Sequence, residues 1–311
     1  MNNKSYTSVL IIGMGLIGSS IARVIKQKKI SEKVFAIDND KTTINLTKDL
    51  NIVDEIFENL QNFSKQVDLI FICTPLSSYK NIFQELNIFI QTPTLITDVG
   101  STKVSVINDF KSEIDNDKIS FLPAHPIAGL EKSGPQYGFA ELFDNRYCIV
   151  TPINSNDNFI ELISSIWKSF GMTVEIMEAE RHDRVLAMTS HIPQLIAYSV
   201  VGTATELETQ MKDEVIKYSA AGFRDFTRIA SSDPTMWRDV FLANKEATLE
   251  ILGRFTEELF SLQRAIRSDD GKTLFDYFTR TRAIRRGILE AGQDTEAPDF
   301  GRSLLEKSKS D

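Results

Sequence analysis

The chain has 311 residues, of which 42% are hydrophobic and 25% are charged, as in an ordinary soluble globular protein. At roughly 150 residues per domain this length favours two domains, and a chain of this size can bury a core without metals or disulfides. Lys and Arg number 35 against 43 Asp and Glu, so the net charge of −8 argues against a general nucleic-acid-binding protein. Any anionic ligand must therefore meet locally placed Arg or Lys.

The cysteines and the N-terminal apolar run bear on location. Cys73 and Cys148 each lie in an apolar stretch, which predicts two buried free thiols in a reducing compartment. Neither has the spacing of a metal site, and we expect no metal. The run VLIIGMGLIG is too short to cross a bilayer, and no cleavage site follows it. We therefore expect a cytoplasmic protein with no membrane partner and no nucleic-acid partner.

Short β-branched runs recur along the first half of the chain. They predict strands at Ser8–Ile12, Val34–Ile37, Asp68–Cys73, Thr94–Thr97, Ser120–Pro123, Tyr147–Val150 and Met172–Met177. Between them, helical spacing is clearest at Leu16–Lys28, Tyr79–Phe89 and Asp157–Phe170. Apolar strands that alternate with helices predict an α/β Rossmann-type fold, with a doubly wound, mostly parallel sheet covered on both faces.

From Ala179 onwards the strand signal disappears and helical periodicity dominates. The predicted helices are Glu180–Thr205, Asp213–Tyr218, Thr235–Arg267 and Lys272–Glu290. Pro193 should bend or break the first of them, because proline lacks the N–H that a helix interior needs. We therefore predict a nucleotide-binding domain at 1–177, an all-α helical domain at 178–292 and a polar tail at 293–311.

A glycine-rich motif follows the first predicted strand. Gly13, Gly15 and Gly18 form G-x-G-x-x-G at the start of a helix. Gly13 permits the turn, Gly15 lets backbone N–H groups approach a pyrophosphate, and Gly18 lets helix and strand pack closely. The helix N-terminus adds the positive end of its dipole. Leu16 and Ile17, which lie between the glycines, belong to the predicted cofactor site.

Asp38 supports the same interpretation. It stands at the end of the second predicted strand, 20 residues beyond Gly18, where an acidic residue recognises an adenosine ribose. Its carboxylate would repel a 2′-phosphate and no arginine follows it directly, so NAD is favoured over NADP. Thr74 and Pro75, after the third predicted strand, form a further loop that we predict to touch the cofactor. A structural turn with an incidental surface aspartate is the alternative interpretation.

The chain has three histidines, His125, His182 and His191. A lone histidine is more often structural than catalytic, but His125 follows FLPA and precedes Pro126, which favours extended backbone at the end of a strand. Strands of a doubly wound sheet end at the ligand crevice, where an imidazole is available as a base. Ser101, in DVGSTK after the preceding strand, should lie at the same edge, where its hydroxyl could share the proton that His125 removes.

With these positions in view, the sequence resembles the prephenate/arogenate (cyclohexadienyl) dehydrogenase family of tyrosine biosynthesis. The motifs that carry the resemblance are GMGLIGSS, DVGSTK, HPIAGLEKSG at 125–134, TSHIP at 189–193 and GFRDFTRIASSDPTMW at 222–237. The first occurs in many dehydrogenases, whereas the third and the last are far more specific. The resemblance implies NAD-dependent oxidative decarboxylation of prephenate to 4-hydroxyphenylpyruvate, and a helical domain that builds a homodimer.

The resemblance also implies roles for five residues. His125 would be the catalytic base, and Ser101 its hydrogen-bonding partner at the substrate hydroxyl. Arg228 would bind a substrate carboxylate, His191 would contact the substrate from the helical domain, and Glu131 would shape the pocket and tune the arginine. An arginine clamped on the departing ring carboxylate would slow its loss, so we expect Arg228 to bind the side-chain carboxylate.

The chain departs from the family pattern at one position. Many relatives carry a second histidine three positions after His191, where this chain has Gln194, a change that bears on discrimination between substrate side chains. His182, in a helix-start HDR pattern, is expected to have a structural role. We expect neither a chorismate mutase domain ahead of the first strand nor a regulatory domain after Gln293.

Three alternatives stay open from the sequence. Prephenate and arogenate differ only in a keto or amino group, so either or both can be the substrate of this chain. β-Hydroxyacid dehydrogenases share the layout but use a lysine near an asparagine, which Lys245 after Asn244 resembles weakly, and they do not need His125. A non-enzymatic nucleotide-sensing protein would need the cleft, but not His125, Ser101 and Arg228 together.

Overall fold

The computed structural model describes residues 6–153, 157–206 and 221–288. The chain divides into two compact units after Thr248. The first unit holds two β-sheets with their helices, and the second holds most of one long helix and the helix that follows it. The predicted helix Asp213–Tyr218 and the predicted tail at 293–311 lie outside the described residues.

Six parallel strands form the main sheet. In chain order they are β1 (Tyr6–Ile12), β2 (Ser31–Ile37), β3 (Glu55–Phe57), β4 (Leu69–Ile72), β5 (Thr94–Asp98) and β6 (Ile119–Phe121). Their spatial order is β3-β2-β1-β4-β5-β6, so the direction of winding reverses between β1 and β4. In folds of this kind the ligand crevice lies at that reversal, outside the carboxyl ends of the strands. The predicted doubly wound parallel sheet is therefore confirmed.

Helices cover both faces of this sheet. They are α1 (Leu16–Lys28), α2 (Lys41–Asp49), α3 (Tyr79–Phe89), α4 (Val104–Glu113) and α5 (Asp157–Ser169). Successive side chains of a strand point to opposite faces, and in β1 Val9 and Ile11 enter one buried cluster while Leu10 and Ile12 enter the other. Both faces are thus apolar, which explains the uninterrupted hydrophobic runs in the sequence.

A second, three-stranded sheet was not distinguished in the sequence. It consists of β7 (Ala124–Pro126), β8 (Tyr147–Val150) and β9 (Thr173–Ile176), with β7 antiparallel and β9 parallel to β8. The chain passes from β6 to β7 through Leu122 and Pro123, so the segment predicted as one strand ends before Pro123. His125 lies in β7 opposite Ile149, not at the end of a strand of the main sheet.

The first helical segment after β9 is interrupted close to Pro193, as predicted. It comprises α6 (Ala179–Leu186), a π-helical turn (Ala187–His191) and α7 (Ile192–Thr205). Pro193 occupies the first turn of α7, where its missing N–H leaves no hydrogen bond unmade. π-Helical turns are frequent at functional sites, and this one ends on His191.

One stretch among the described residues, Ala179–Ala204, is long and apolar enough to cross a membrane by length and composition alone. Core helices of soluble proteins meet the same test. This stretch also carries the buried polar side chains of His182, Asp183 and His191, which are costly in a lipid-facing helix. Its composition is therefore weak support for a membrane span.

The remaining described helices are α8 (Ala221–Thr227), α9 (Pro234–Ala243), α10 (Lys245–Arg267) and α11 (Gly271–Ile288), with a 3-10 turn at Arg228–Ser231. The prediction of one helix over Thr235–Arg267 was wrong, because Asn244 leaves the helical conformation and separates α9 from α10. Asp233 caps α9 by accepting hydrogen bonds from the backbone N–H groups of Thr235 and Met236.

Candidate active site

The glycine-rich turn between β1 and α1 is tightly packed on one side and open on the other. Gly13 has a φ of +95°, and a Cβ there would lie 2.8 Å from the backbone of Cys73, so only glycine fits. A Cβ on Gly18 would lie 2.0 Å from the carbonyl oxygen of Gly13. A Cβ on Gly15, the N-cap of α1, would have no neighbour within 4 Å. The open side of the turn therefore lies at a helix N-terminus, whose N–H groups suit a phosphate.

Asp38 is held against this turn. One carboxylate oxygen accepts a hydrogen bond from the backbone N–H of Met14 at 2.8 Å, and the other accepts from the backbone N–H of Asp40 at 2.9 Å. The side chain is partly exposed, so the carboxylate is oriented at the carboxyl end of β2 and still reachable. Each oxygen has a further lone pair for a ribose hydroxyl.

The other predicted cofactor residues lie at the same edge of the sheet. Leu16 and Ile17 form the first turn of α1. Thr74 and Pro75 follow β4, and the methyl group of Thr74 would lie 2.9 Å from a Cβ on Gly13. The Thr74 hydroxyl accepts a hydrogen bond from the hydroxyl of Ser78 at 2.8 Å. The structure thus brings the predicted cofactor residues together at the reversal between β1 and β4.

A chain of hydrogen bonds leads away from His125. Its Nδ1 lies 2.9 Å from Nε2 of His182, and Nδ1 of His182 lies 2.7 Å from a carboxylate oxygen of Asp183. His125 is 8% exposed, and the other two side chains are buried in α6. The ring predicted to be structural is therefore in direct contact with the ring predicted to be the base.

The carboxylate of Asp183 also caps a distant helix. It accepts hydrogen bonds from the backbone N–H groups of Lys103 at 2.8 Å and Val104 at 3.0 Å, at the start of α4. Those N–H groups have no partner inside the helix, so a carboxylate at this end satisfies them and interacts favourably with the helix dipole. Asp183 is thereby fixed in position and orientation.

A buried ion pair holds the backbone next to His125. Lys103 Nζ lies 2.6 Å from Asp98 and donates to the carbonyl oxygen of Ala124 at 2.7 Å, while the N–H of Ala124 donates to Asp98 at 3.1 Å. Tyr79 donates a further hydrogen bond to Asp98 at 3.2 Å. Burial lowers the pKa of Lys103, and the nearby Asp98 opposes that shift. Side chains from the β5–α4 region thus fix both backbone groups of the residue before His125.

Ser101 lies on the same loop as Lys103, between β5 and α4. Its side chain is half-buried, and among the described residues its hydroxyl has no hydrogen-bond partner. The loop is tied to β7 through Lys103 and Ala124. The structure therefore places Ser101 on a segment anchored beside His125, without a hydrogen bond between the two.

His191 is buried on the π-helical turn and belongs to a second network. Its Nδ1 lies 3.1 Å from the amide nitrogen of Asn244, which also donates to the backbone carbonyl of Asp183 at 2.8 Å. Its ring packs edge-on against Trp237, with 6.1 Å between the centroids. Nε2 of His191 and the indole nitrogen of Trp237 are buried and have no partner within the described part of the chain.

Arg228 and Glu131 form an ion pair, so the structure joins two residues that were predicted separately. Both side chains are partly exposed, with relative accessibilities of 30% and 26%. Gln194, the departure from the family pattern, is buried, and its amide donates to the backbone carbonyl of Ile229 at 2.8 Å. Gln194 therefore holds the turn that carries Arg228.

Burial dominates the electrostatics of the three histidines. It lowers the pKa of His125 well below the ordinary value, and positive charge at His182, Lys103 or His191 would lower it further. Burial also lowers the pKa of His182, against the opposing hydrogen bond to Asp183. The pKa of His191 falls to about 4 for the same reason, opposed by Asp183. All three rings are therefore neutral at pH 7.

Sequence reasoning missed five members of these networks: Tyr79, Asp98, Lys103, Asp183 and Asn244. Two signals pointed to them. Lys103 and Asp98 flank Ser101 within the motif region, and Asp183 directly follows His182, an adjacent His-Asp pair at a helix start. Asn244 precedes Lys245, and in the sequence this pair only resembles, weakly, the lysine and asparagine of β-hydroxyacid dehydrogenases. Apart from the pairs Asp98–Lys103 and His182–Asp183, the contacts described above join residues 19 or more positions apart in the sequence, so they depended on the fold.

Two sequence models of one protein family together match most of the chain. The model for the prephenate dehydrogenase nucleotide-binding domain matches residues 21–176, and the model for the prephenate dehydrogenase dimerization domain matches residues 178–280. Among curated proteins, cyclohexadienyl dehydrogenase of Zymomonas mobilis is 36% identical over 284 residues, which cover 91% of this chain and 96% of that protein. Prephenate dehydrogenase of Bacillus subtilis is 32% identical over 289 residues, covering 92% and 77% respectively.

Solved structures agree with these relatives. The crystal structure of prephenate dehydrogenase from Aquifex aeolicus, in complex with hydroxyphenyl propionate and NAD+, matches with a TM-score of 0.84 and 32% identity over 92% of this chain and 100% of that chain. Arogenate dehydrogenase from Synechocystis shares the fold, with a TM-score of 0.74 at 20% identity over 90% and 99%. From these matches along nearly its whole length, this chain belongs to the prephenate dehydrogenase family.

Proposed function

We propose that this protein catalyses the NAD-dependent oxidative decarboxylation of prephenate to 4-hydroxyphenylpyruvate in tyrosine biosynthesis. Membership of the family supports this activity, and the relatives at 32–36% identity are named as prephenate or cyclohexadienyl dehydrogenases. The observation that carries the proposal is the buried, neutral imidazole of His125, held by hydrogen bonds on a strand beside the β5–α4 loop. A neutral imidazole has one nitrogen free to take a proton.

The reaction needs one base, and the proton that the base takes is returned at the end, so no proton is gained or lost overall. The hydroxyl at C4 of the substrate ring loses its proton to His125 while the hydrogen on C4 leaves as hydride, and C4 becomes a carbonyl carbon. The bond from C1 to the ring carboxylate then breaks, carbon dioxide leaves, and the electron pair flows through the ring to the carbonyl oxygen. The resulting phenolate takes the proton back from His125. The aromatic product makes the step effectively irreversible.

The glycine-rich turn fits a dinucleotide. The close contacts at Gly13 and Gly18 require glycine, while the open side at Gly15 leaves room for a pyrophosphate at the N-terminus of α1. Asp38 would hold the adenosine ribose, which favours NAD over NADP. The rest of the dinucleotide would be contacted by Leu16, Ile17, Thr74 and Pro75. When bound, NAD+ accepts the hydride.

The other residues would bind and orient the substrate. Arg228 would hold the side-chain carboxylate, with Glu131 as its partner before the substrate arrives. Ser101, whose hydroxyl has no partner among the described residues, would hydrogen-bond the substrate hydroxyl. His191 would contact the substrate from the helical side. Since Arg228 would hold the side-chain carboxylate, no cation would bind the ring carboxylate, whose negative charge is lost when it leaves as carbon dioxide.

Arogenate is the alternative or additional substrate. It carries an amino group where prephenate has a keto group, so discrimination depends on the polar groups around the side chain. Gln194 is engaged with Ile229 and supports the Arg228 turn, which lies where the side chain would bind. Comparing kcat/KM for the two substrates tests the ranking, and a preference for arogenate above about a hundredfold would reverse it.

The proposal extends to domains, assembly and location. We propose a nucleotide-binding domain at 1–177, a helical domain at 178–292 and a tail at 293–311; the change from strands to helices after β9 supports the first boundary. A homodimer through the helical domain is supported by the family description of that region as a dimerization domain. A cytoplasmic location is supported by the free cysteines, Cys73 and Cys148.

A direct assay tests the function. Purified protein is mixed with prephenate and NAD+, and NADH formation is followed by absorbance. His125→Asn should lower kcat by about two to four orders of magnitude, the typical contribution of a general base, with little change in the Kd for NAD+. Thr151→Val, which removes a buried hydroxyl without a partner in the described chain, is the matched control and should keep full activity. Retained turnover in His125→Asn would refute the assignment.

A further inference from the structure

We propose that three residues outside the predicted site fix the protons of the two histidines within it, in opposite senses. The positioning residues are His182, Asp183 and Asn244. Through them, His125 presents a lone pair at Nε2, and His191 presents an N–H at Nε2. This inference rests on the proposed function, because it assigns these two nitrogens to the same reaction.

The first network starts at the Asp183 carboxylate. Its oxygens accept from two backbone N–H groups, those of Lys103 and Val104, which can only donate. The carboxylate is therefore an acceptor on every side, and the nitrogen 2.7 Å away, Nδ1 of His182, must carry a hydrogen. Because the His182 ring is neutral, its Nε2 then has no hydrogen and offers a lone pair.

This lone pair decides the state of His125. Nδ1 of His125 lies 2.9 Å from Nε2 of His182, so Nδ1 of His125 must be the donor. The neutral His125 ring has only one hydrogen, and its Nε2 is left as the basic nitrogen. An isolated imidazole would exchange between two tautomers, one of which holds a hydrogen where the substrate proton has to go. The network removes that inactive form.

The same bonds remain when His125 takes the substrate proton. The ring becomes an imidazolium, and its Nδ1 still donates to His182, whose Nδ1 still donates to Asp183. The new positive charge is thus linked to a carboxylate through two hydrogen bonds in a buried site, where such bonds are stronger than in water. No rearrangement of the protein is needed during the proton transfer.

The second network works in the opposite sense on His191. The amide nitrogen of Asn244 donates one hydrogen to the backbone carbonyl of Asp183, which can only accept, so the orientation of the amide is determined. Its second hydrogen points to Nδ1 of His191 at 3.1 Å, which must therefore be an acceptor. The hydrogen of the neutral His191 ring is on Nε2.

Nε2 of His191 is therefore a buried donor, and no acceptor for it lies within the described residues. A buried donor left unsatisfied costs about 1–3 kcal/mol, so such groups normally have a partner. The substrate supplies one, because its hydroxyl, keto and carboxylate oxygens all accept hydrogen bonds. Asp183 thus governs both histidines, His125 through its side chain and His191 through its main-chain carbonyl.

Tautomers can be read directly by NMR, because the chain contains only three histidines. The full-length protein, without a histidine tag, is labelled with 15N-histidine, and long-range 1H–15N correlations are recorded at pH 7.5. We expect His125 and His182 as Nδ1–H tautomers and His191 as the Nε2–H tautomer. A spectrum with His125 protonated at Nε2, or with His191 protonated at Nδ1, would overturn the proposal, and this measurement needs no variant to fold.

Variants test each network separately. Asn244→Asp replaces the amide donor by an acceptor, so the hydrogen of His191 should move to Nδ1 and KM for prephenate should rise about tenfold, the cost of one lost hydrogen bond. Its control, Thr248→Val, removes a buried hydroxyl without a partner one turn further along and should change neither property. A His191 ring that keeps Nε2–H in Asn244→Asp would contradict the second network.

His182→Phe tests the first network. We expect His125 to show an average of both tautomers and kcat to fall about 10- to 100-fold, part of the contribution of general-base catalysis, while the Kd for NAD+ stays within about twofold. Thr151→Val is again the control. Unchanged kcat together with an Nδ1–H tautomer of His125 would overturn this network.

Failure of the two proposals can be told apart. If the wild-type spectrum agrees but prephenate and NAD+ give no NADH, the proposed function fails while the proton positions stand. If prephenate is oxidised and His125→Asn is inactive, but the spectrum shows the other tautomers, the inference fails while the function stands.

Discussion

Nδ1 of His125 and Nε2 of His182 lie 2.9 Å apart, although the residues are separated by 57 positions in the sequence. The rings meet at an interplanar angle of 66°, so they contact through the hydrogen bond and not by stacking. This contact joins β7 to α6, the helix that follows β9. A change in α6 should therefore reach the chemistry at His125 without touching the substrate.

The ion pair between Arg228 and Glu131 predicts a loss of binding when the arginine changes. Arg228→Lys keeps the charge but loses the bidentate fork, so KM for prephenate should rise about 10- to 100-fold while kcat changes little. Glu131→Gln removes the ion pair between these two side chains and should not raise KM. Steady-state kinetics measure both. The control is Arg254→Lys, in an exposed pair with Glu250, and a fall in kcat at constant KM would contradict a binding role.

Two glycine substitutions should separate cofactor binding from folding. Gly18→Ala places a Cβ 2.0 Å from a backbone oxygen and should lower the free energy of unfolding by about 2 kcal/mol or more. Gly15→Ala meets no protein atom within 4 Å, so the free energy of unfolding should change by less than about 0.5 kcal/mol. Its methyl group would nevertheless enter the predicted pyrophosphate space. Thermal melts measure the stability of both variants, and titrations measure their Kd for NAD+. An unchanged Kd in Gly15→Ala would contradict the predicted cofactor site.

The activity should persist in weak acid. The base must be neutral to accept a proton, and the pKa of His125 lies well below its ordinary value. The acid limb of kcat/KM should therefore lie below about pH 6.5, the value for an unperturbed histidine, with little change between there and pH 8. The measurement is a pH profile of kcat/KM with prephenate. A limb centred above pH 7 would exclude His125, as it is placed here, from the role of base.

The free energy of unfolding should decrease as the pH falls below about 6.5. The buried histidines have folded-state pKa values below the unfolded value of about 6.5, so the unfolded chain binds more protons as the pH falls below that value. His191, with a pKa of about 4, should alone cost up to about 3 kcal/mol by pH 4. Urea unfolding at pH 7.5, 6 and 5 measures the slope. His191→Gln should reduce it, and an unchanged slope would contradict the buried, neutral ring.

The second compact unit exposes large apolar side chains that predict an interface. Those exposed by about half or more on α10 and α11 are Leu249, Leu259, Phe260, Ile266, Phe275, Phe278 and Ile284. Replacing Phe275 and Phe278 together by Glu should convert the proposed dimer into a monomer, because charges would enter an apolar contact. Light scattering after gel filtration measures the mass. Lys272→Gln on the same helix is the control, and a monomeric wild-type protein would refute the dimer.

The sequence predicted those elements whose signals are local. α1 and α3 have the predicted bounds, and each has buried apolar residues at helical spacing. By contrast, α2 was missed because it is short and its only apolar residues are Ile44 and Leu46. The start of α4 is capped by Asp183, about 80 residues further on, and no residue near α4 signals that cap.

The strand that carries His125 was also beyond local reasoning. β7 has three residues, one of them proline, and both backbone groups of Ala124 are held by the side chains of Asp98 and Lys103. The sequence pattern therefore placed His125 at the end of a main-sheet strand, whereas it lies in a second sheet.

The sequence alone was sufficient for the glycine-rich turn, the parallel sheet, the helical second half and the family, because each depends on spacing within a short segment. The tertiary structure decided which nitrogens of His125 and His191 are occupied, and it paired Arg228 with Glu131. Those features depend on hydrogen bonds and ion pairs a few ångströms long between residues tens of positions apart. Only the folded chain brings such donors and acceptors together.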